Sequence, residues 1–302
     1  MAKKQSVYAV ITNKIIEMIE KTKLLPWQIP WVLGHSSGNY LTKRPYSGIN
    51  AITTHFAVYA YGYSTPWFLT QKQAIKLGGR VKANAKKFPI LFYLERPVFD
   101  PFATAAKEMF AIWHTVYNLD DIKGIDIEEM PQEFDHDPIK SCENIVAKMP
   151  KPPQILHGGF KACYNTDTDC VTLPIKSKFP QIETYYATLF HELSHATGHK
   201  KRLNRNTILT FFDRTSYGKE ELVAELGAAF LCKHGGIENK TIKSSAAYLN
   251  SWLKIIKESP TMLIQAAGAA QKSTDFILRK KKKKKPVKKT VTKTKKKVKK
   301  KK

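Results

Sequence analysis

The residues best suited to chemistry lie between Thr188 and Arg205, in TLFHELSHATGHKKRLNR. This stretch contains H-E-x-x-H, supplied by His191, Glu192 and His195. Residues four apart on a helix share a face, so the two imidazoles can converge on one ion. Glu192 lies beside that face, placed to act as general base toward a metal-bound water. Zinc with three protein ligands keeps a fourth position open and lowers the pKa of its water to about 7. The chemistry predicted is hydrolysis of an amide or similar bond, with Zn2+ as cofactor. The apolar run YYATLF before the motif reads as a helix entering a core, and Gly198 reads as its stop. The longer motif form ending in a third histidine fails, because Lys201 stands at that position. His199 is present, just beyond the glycine.

A third ligand is expected downstream, in YGKEELVAELGAAFLC (Tyr217 to Cys232). Leu222, Val223, Leu226, Ala229 and Phe230 mark a buried helix there. Glu221 and Glu225 are four apart and face the same way. Two carboxylates on an otherwise apolar helix are costly to desolvate unless they are paired or metal-bound. Glu221 is assigned as ligand and Glu225 as acceptor for a ligand imidazole N–H, although the roles could be reversed. Glu220 reads as an exposed acid near the start of the helix.

The 302 residues leave room for two domains of ordinary size, and a hydrophobic content of 42% supplies real cores. No apolar run reaches membrane-spanning length, and the first residues lack a cleavable apolar segment. Cys142, Cys163, Cys170 and Cys232 therefore read as reduced thiols in a cytoplasmic setting, with no membrane partner. The net charge is +26, but Arg279 to Lys302 hold 17 of the 51 basic residues and no acid. The remaining 34 basic and 25 acidic residues give +9. The tail is expected to be disordered and to bind any polyanion by releasing counterions. In a eukaryotic host it would also serve as a nuclear address.

In the first third, a helix is expected over residues 7–22, then an extended Trp27–Trp31 segment broken by Pro26 and Pro30. A helix at TQKQAIKLG and strands around Arg80–Lys82 and Pro89–Leu94 follow. Aromatics (Trp27, Trp31, Tyr40, Tyr46, Trp67, Phe68) interleave with cations such as Arg44 and Lys72. Single-stranded nucleic acid is bound in this way, bases stacking on rings while cations follow phosphates. The same composition equally describes a small domain with an aromatic core and a solvated lysine face.

Between the halves, Asp120 to Asp137 is acidic and reads as a connector. Beyond it, SCENIVAKM predicts a short helix, and FKACYNTDTDCVTLP (Phe160 to Pro174) predicts two strands about a polar turn. The second of these strands alternates as a sheet edge would, and Pro180 is expected to open the motif helix.

The combination PWQIPW, RPYSGIN and WFLTQKQAIKLGG, followed by YYATLFHELSHATGHKKRLNR, EELVAELGAAFL, AYLNSWLKIIK and AAGAAQKSTDFIL, resembles the ArdC family of plasmid and phage antirestriction proteins. The likeness runs in order through nearly all of residues 7–278; the lysine tail is no part of it. It implies an α+β chain. A small N-terminal α+β domain would bind single-stranded DNA, and a zincin-like, gluzincin-type metallopeptidase domain would follow. The expected boundaries are 5–125 for the DNA-binding domain, 126–138 for the acidic linker, 139–278 for the peptidase and 279–302 for the tail. Trp27, Trp31, Arg44, Tyr46, Asn50, Trp67, Lys72 and Gln73 match the N-terminal motifs. The resemblance also favours an edge strand above the metal, and protection of incoming DNA, with a host restriction or other defence protein as peptide substrate.

Glu192 is then the catalytic base, and His199 and Tyr217 are candidates to stabilise the oxyanion. Two rival readings remain at this level. One is a DNA-binding protein whose zinc is only structural; the other is a peptidase whose substrate has nothing to do with DNA.

Overall fold

The computed structural model describes residues 6–28, 37–97, 107–125, 138–158, 161–179, 181–205, 214–237 and 246–280. Trp31, Pro180, residues 126–137 of the acidic connector and the tail beyond Lys280 lie outside them. Among the described residues no helix is long and apolar enough to cross a membrane.

Helix α1 (Val7–Thr22) starts where the Ala9 N–H donates to the Ser6 hydroxyl. Its Ile11, Ile15, Met18 and Ile19 follow helical spacing and are fully buried. Helix α2 (Ile49–Tyr61) is apolar nearly all round and correspondingly buried, and it ends at Gly62 in the left-handed region. These helices pack on the antiparallel pair β5 (Phe88–Pro97) and β6 (Lys107–Asn118), the long hairpin of the first half. Short strands β1 (Gly38–Asn39), β2 (Arg44–Pro45) and β3 (Trp67–Leu69) complete a sheet in the order β2-β1-β3-β6-β5. Gly38 is required there, since a Cβ would meet the Arg44 carbonyl oxygen at 2.7 Å. Helix α3 (Gln71–Lys76) follows β3, with Thr70 and Gln73 forming a reciprocal capping box. Strand β4 (Arg80–Val81) pairs with β7 (Ile122–Lys123).

The second half contains α4 (Pro138–Lys148) and a sheet of β8 (Gln154–His157), β9 (Cys163–Asn165) and β10 (Cys170–Leu173). Helices α5 (Ile182–Ala196), α6 (Arg214–Gly235), α7 (Ala246–Glu258) and α8 (Pro260–Ile277) follow. The order is β8-β10-β9, so β10 is the central strand and not the edge its alternation suggested. Cys170, Val171 and Leu173 are buried because both neighbours cover them. The edge is β9.

The halves share one core cluster beside clusters of their own. Ile11, Ile15, Trp27, Phe56 and Phe88 form one cluster with Leu222, Val223, Leu226 and Phe230 of α6, Trp252 of α7 and Leu263 of α8. Trp27 meets Trp252 edge to face at 5.4 Å. The Thr12 hydroxyl donates to the Pro260 carbonyl at 2.7 Å, and the Gly48 N–H to Gln271 Oε1 at 3.2 Å. A second cluster joins α4, α5, β10 and the end of α6 through Ile145, Phe190, Leu193, Val171 and Leu231. Helix α6 thus lies between the two. At Gly227 it approaches α5 so closely that an added Cβ would run into the Ser194 hydroxyl.

Candidate metal centre and nucleic-acid groove

Helix α5 projects His191 and His195 from one face, as the spacing predicts, and their Nε2 atoms are 3.2 Å apart. Helix α6 brings the Glu221 carboxylate to 3.7 Å from His191 Nε2 and 3.5 Å from His195 Nε2. Three ligands around a tetrahedral ion at bond lengths of about 2.0–2.1 Å are separated by about 3.3 Å. The separations here fit such an ion, and among the described residues these three form the group able to hold one.

The remaining ring nitrogens turn toward other carboxylates. His191 Nδ1 is 4.0 Å from Glu225 Oε2, and His195 Nδ1 is 3.5 Å from Glu220 Oε1. Glu225 is thus near His191 but beyond hydrogen-bond length of its ring nitrogen. Glu220 corrects the sequence reading. The helix begins at Arg214, so Glu220 is past its first turn, and it is 5% exposed. Arg205 compensates its charge, with Nε 3.2 Å from Oε2 and Nη2 2.5 Å from Oε1. Burial pushes the Glu220 carboxyl up, but His195 and Arg205 outweigh it and hold it at about 2. Arg205 also donates to Thr197 Oγ1 at 2.6 Å, whose hydroxyl is 2.8 Å from that of Ser273 on α8. A buried polar chain thus runs from α8 to His195. The sequence cue was E-E with arginines downstream of the motif, one of which the fold converts into a pair.

Carboxylates that orient a ligand imidazole are typically worth 10–100-fold in metal affinity. Glu220→Gln, which keeps the shape and removes the charge, is expected to weaken metal binding by about that factor. Titration calorimetry on the full chain checks it, and an unchanged affinity would remove Glu220 from the site.

Glu192 is buried beside this group, 7% exposed. Burial raises its carboxyl to about 7, with Glu221 raising it further, while His195 and a backbone hydrogen bond from Tyr164 of β9 act the other way. The edge strand therefore touches the prospective base. Its position is fixed by Arg202, whose side chain is 1% exposed. Arg202 donates to the Ala196 carbonyl at 2.6 Å, the Lys151 carbonyl at 2.9 Å, Tyr164 Oη at 3.1 Å and the Asp169 carboxylate. Tyr164 Oη in turn donates to Asp169 Oδ1 at 2.9 Å.

His199 is not brought to the metal group. Its Nδ1 accepts from the Lys201 N–H at 3.2 Å and lies 3.8 Å from Asp169 Oδ2, on the wall of a separate cavity of about 400 Å³. Gly198 turns the chain away before His199 is reached. Tyr217 falls on α6, but its side chain lies outside the described residues.

The first half holds a groove of about 970 Å³ lined by Arg44, Tyr46, Asn50, Lys72 and Gln73, five of the predicted nucleic-acid residues. Two of the five have structural duties. The Asn50 amide pairs with both backbone groups of Leu91, at 2.8 and 2.6 Å, closing part of the exposed edge of β5. Gln73 caps α3 and accepts from Asn39 at 2.9 Å. Trp27 is 0% exposed and offers no face to a base. Trp67 is also core, edge-on to Tyr40. Both were expected at the interface, and both are taken up by packing because large apolar rings gain most from burial. The groove also contains Phe92, Tyr93 and His114, which the sequence reading missed. Their alternation along β5 and β6 was legible, but not that they would stay part-exposed at the groove, with Tyr93 hydrogen-bonded to Tyr8 of α1.

A histidine-pair helix, an acidic partner helix and a small sheet whose edge strand reaches the intervening glutamate define a zincin-like metallopeptidase domain, here preceded by an α+β unit. Residues 141–269 match the model for a zincin-like metallopeptidase, and residues 5–109 that for the N-terminal domain of anti-restriction factor ArdC. The chain thus carries, in order, a domain of the ArdC N-terminal family and a zincin-like metallopeptidase domain. Crystal structures of the antirestriction ArdC protein from plasmid R388 share 29% identity with it. The metal-free form has a TM-score of 0.71 over 90% of this chain and 97% of that one. The Mn(II)-bound form has a TM-score of 0.69 over 91% and 98%. Two Escherichia coli proteins named DNA primase TraC are 32% identical over 92% and 91% of this chain, which spans only 20% and 27% of their lengths. An uncharacterised protein, y4eC of Sinorhizobium fredii (strain NBRC 101917 / NGR234), is 28% identical over 90% of this chain and 91% of its own length.

Proposed function

We propose that this chain protects incoming DNA from host restriction, holding single-stranded DNA in the groove of its first half and hydrolysing a peptide bond in its second. The likeness to an antirestriction protein over nearly its whole length supports the biological setting, the cytoplasm of a cell receiving a plasmid or phage. Zn2+ is the proposed ion, held by His191, His195 and Glu221, since two imidazoles and a carboxylate with near-tetrahedral spacing suit it. When bound, such an ion polarises a carbonyl and makes water acidic near neutral pH. Glu192 accepts the proton of the attacking water and returns it to the leaving amine. Strand β9 offers its free edge to an extended peptide, and its Tyr164 N–H holds Glu192 in place. Arg44 and Lys72 meet phosphates at the groove.

One observation carries the catalytic reading over a purely structural metal. A structural site needs no general base, yet here the Glu192 carboxylate is buried beside the three prospective ligands and against the backbone of edge strand β9. Glu192→Gln is expected to keep the metal, by elemental analysis of the purified chain. It should lower cleavage of a fluorogenic peptide library by about 10²–10⁴-fold. Protection of unmodified DNA by the same variant separates the activities. Protection that survives means DNA coverage suffices, whereas lost protection makes proteolysis the operative step. Unchanged peptide cleavage would remove Glu192 from catalysis.

A further inference from the structure

The β5–β6 hairpin runs past the core that supports its base. Phe88, Ile90 and Val116 at the base are buried, whereas Phe92, Tyr93 and Trp113 are 40%, 51% and 41% exposed. A cluster of wet rings on a projecting ribbon marks an interaction surface. Register sets Phe92 opposite Ile112 and Leu91 opposite Trp113. Phe92 and His114 are therefore diagonal neighbours on one face, with ring centroids 5.2 Å apart, and Tyr93 and Trp113 are diagonal neighbours on the other.

We propose that this arm is the base-stacking wall for single-stranded nucleic acid, extending the groove onto Trp113; this rests on the groove being a nucleic-acid site. Phe92 and His114 from one face of the ribbon and Tyr93 from the other border the same groove as Arg44 and Lys72, and Trp113 lies beside Tyr93 just outside that lining. The arm's carboxylates, Glu95 and Glu108, come later toward its tip, beyond the rings. Flat rings continuous with a cationic groove suit unstacked bases. A protein partner would find no such complementarity in the two cations. The aromatics singled out earlier, Trp27 and Trp67, are left to the core.

The test uses the full chain with fluorescently labelled oligo-dT and an abasic strand of equal length. The lysine tail and the groove cations bind both strands, so the difference between them isolates stacking. The wild-type chain should bind oligo-dT at least about tenfold more tightly than the abasic strand. Phe92→Leu with Trp113→Leu should erase most of that difference while leaving abasic binding unchanged. Leucine keeps the apolar bulk, and Trp113→Phe, which keeps a ring, should retain the preference and control for misfolding. A preference that persists in the double leucine variant overturns the arm but leaves the groove reading intact. An altered sedimentation coefficient with that preference untouched would make the arm a protein interface instead. If the wild-type chain shows no preference for bases at all, the groove reading falls and the arm with it.

Discussion

Residues 138–280, produced without the first half, will not fold. Helices α6, α7 and α8 place Leu222, Val223, Leu226, Phe230, Trp252, Ile256, Met262, Leu263 and Ile264 in a cluster whose other side is α1, α2 and the Trp27 segment. Burying each such side chain contributes about 1.5–3 kcal/mol. Exposing even most of them forfeits on the order of 10 kcal/mol, as much as the whole stability of an ordinary domain at about 5–15 kcal/mol. The fragment should therefore aggregate, or lack a cooperative thermal transition, while the full chain melts in one step. Because α6 also carries Glu220, Glu221 and Glu225, the fragment should lose metal binding as well. A soluble fragment with a sharp transition and a native affinity for metal would show that the halves are independent after all. The expected boundary at residues 126–138 would then separate two true domains.

Replacing Arg202 should be nearly as damaging, although the residue reaches neither the metal group nor the groove. It is buried against Asp169, Tyr164 and two backbone carbonyls. Removing one member of a buried ion pair leaves the other charge uncompensated, at about 3–5 kcal/mol. Arg202→Met is expected to lower stability toward urea by that amount at neutral pH. A variant as stable as wild type would mean the pair contributes nothing.

Acid dependence offers a second readout. Burial pushes the Asp169 carboxyl up, but bonds from Arg202 and Tyr164 outweigh it and hold it at about 2, against about 3.9 in an unfolded chain. A carboxyl lowered by folding stabilises the native state fully above its unfolded value and loses that effect as pH falls through the folded one. The wild-type chain should thus lose this contribution progressively from about pH 4 toward pH 2. In Arg202→Met the carboxyl loses its buried cation and is left with the exposed Lys201 at 3.4 Å, so it moves upward and this part of the acid dependence shrinks. Urea midpoints at pH 7 and pH 3 for both chains would show it.

Much of the metal centre was legible in one dimension. Helical geometry is local, so H-E-x-x-H forces His191 and His195 onto one face, and the apolar residues around Glu221 force that acid into an interior. The spacing of Ile11, Ile15, Met18 and Ile19 likewise determined α1, and the polar turn in YNTDTD determined the hairpin of β9 and β10. What could not be read locally was which element would lie against which. Glu220 looked like a solvated acid until α6 was seen to pack on α5 with Arg205 beside it. Strand β10 looked like an edge because its pattern alternates, and β8 arriving in parallel from earlier in the chain made it central. Trp27 and Trp67 looked like stacking rings, but aromatic residues have the same composition in a core as on a surface, and only coverage by α7 and by Tyr40 decided between them. His199 stands four residues after His195, yet the turn at Gly198 breaks the helical phase and carries it to Asp169. Composition and periodicity determined the elements and the histidine pair on α5. Long-range packing alone decided the shared core, the carboxylate that orients His195 and the aromatic arm beside the groove, because each depends on contacts between residues far apart in the chain.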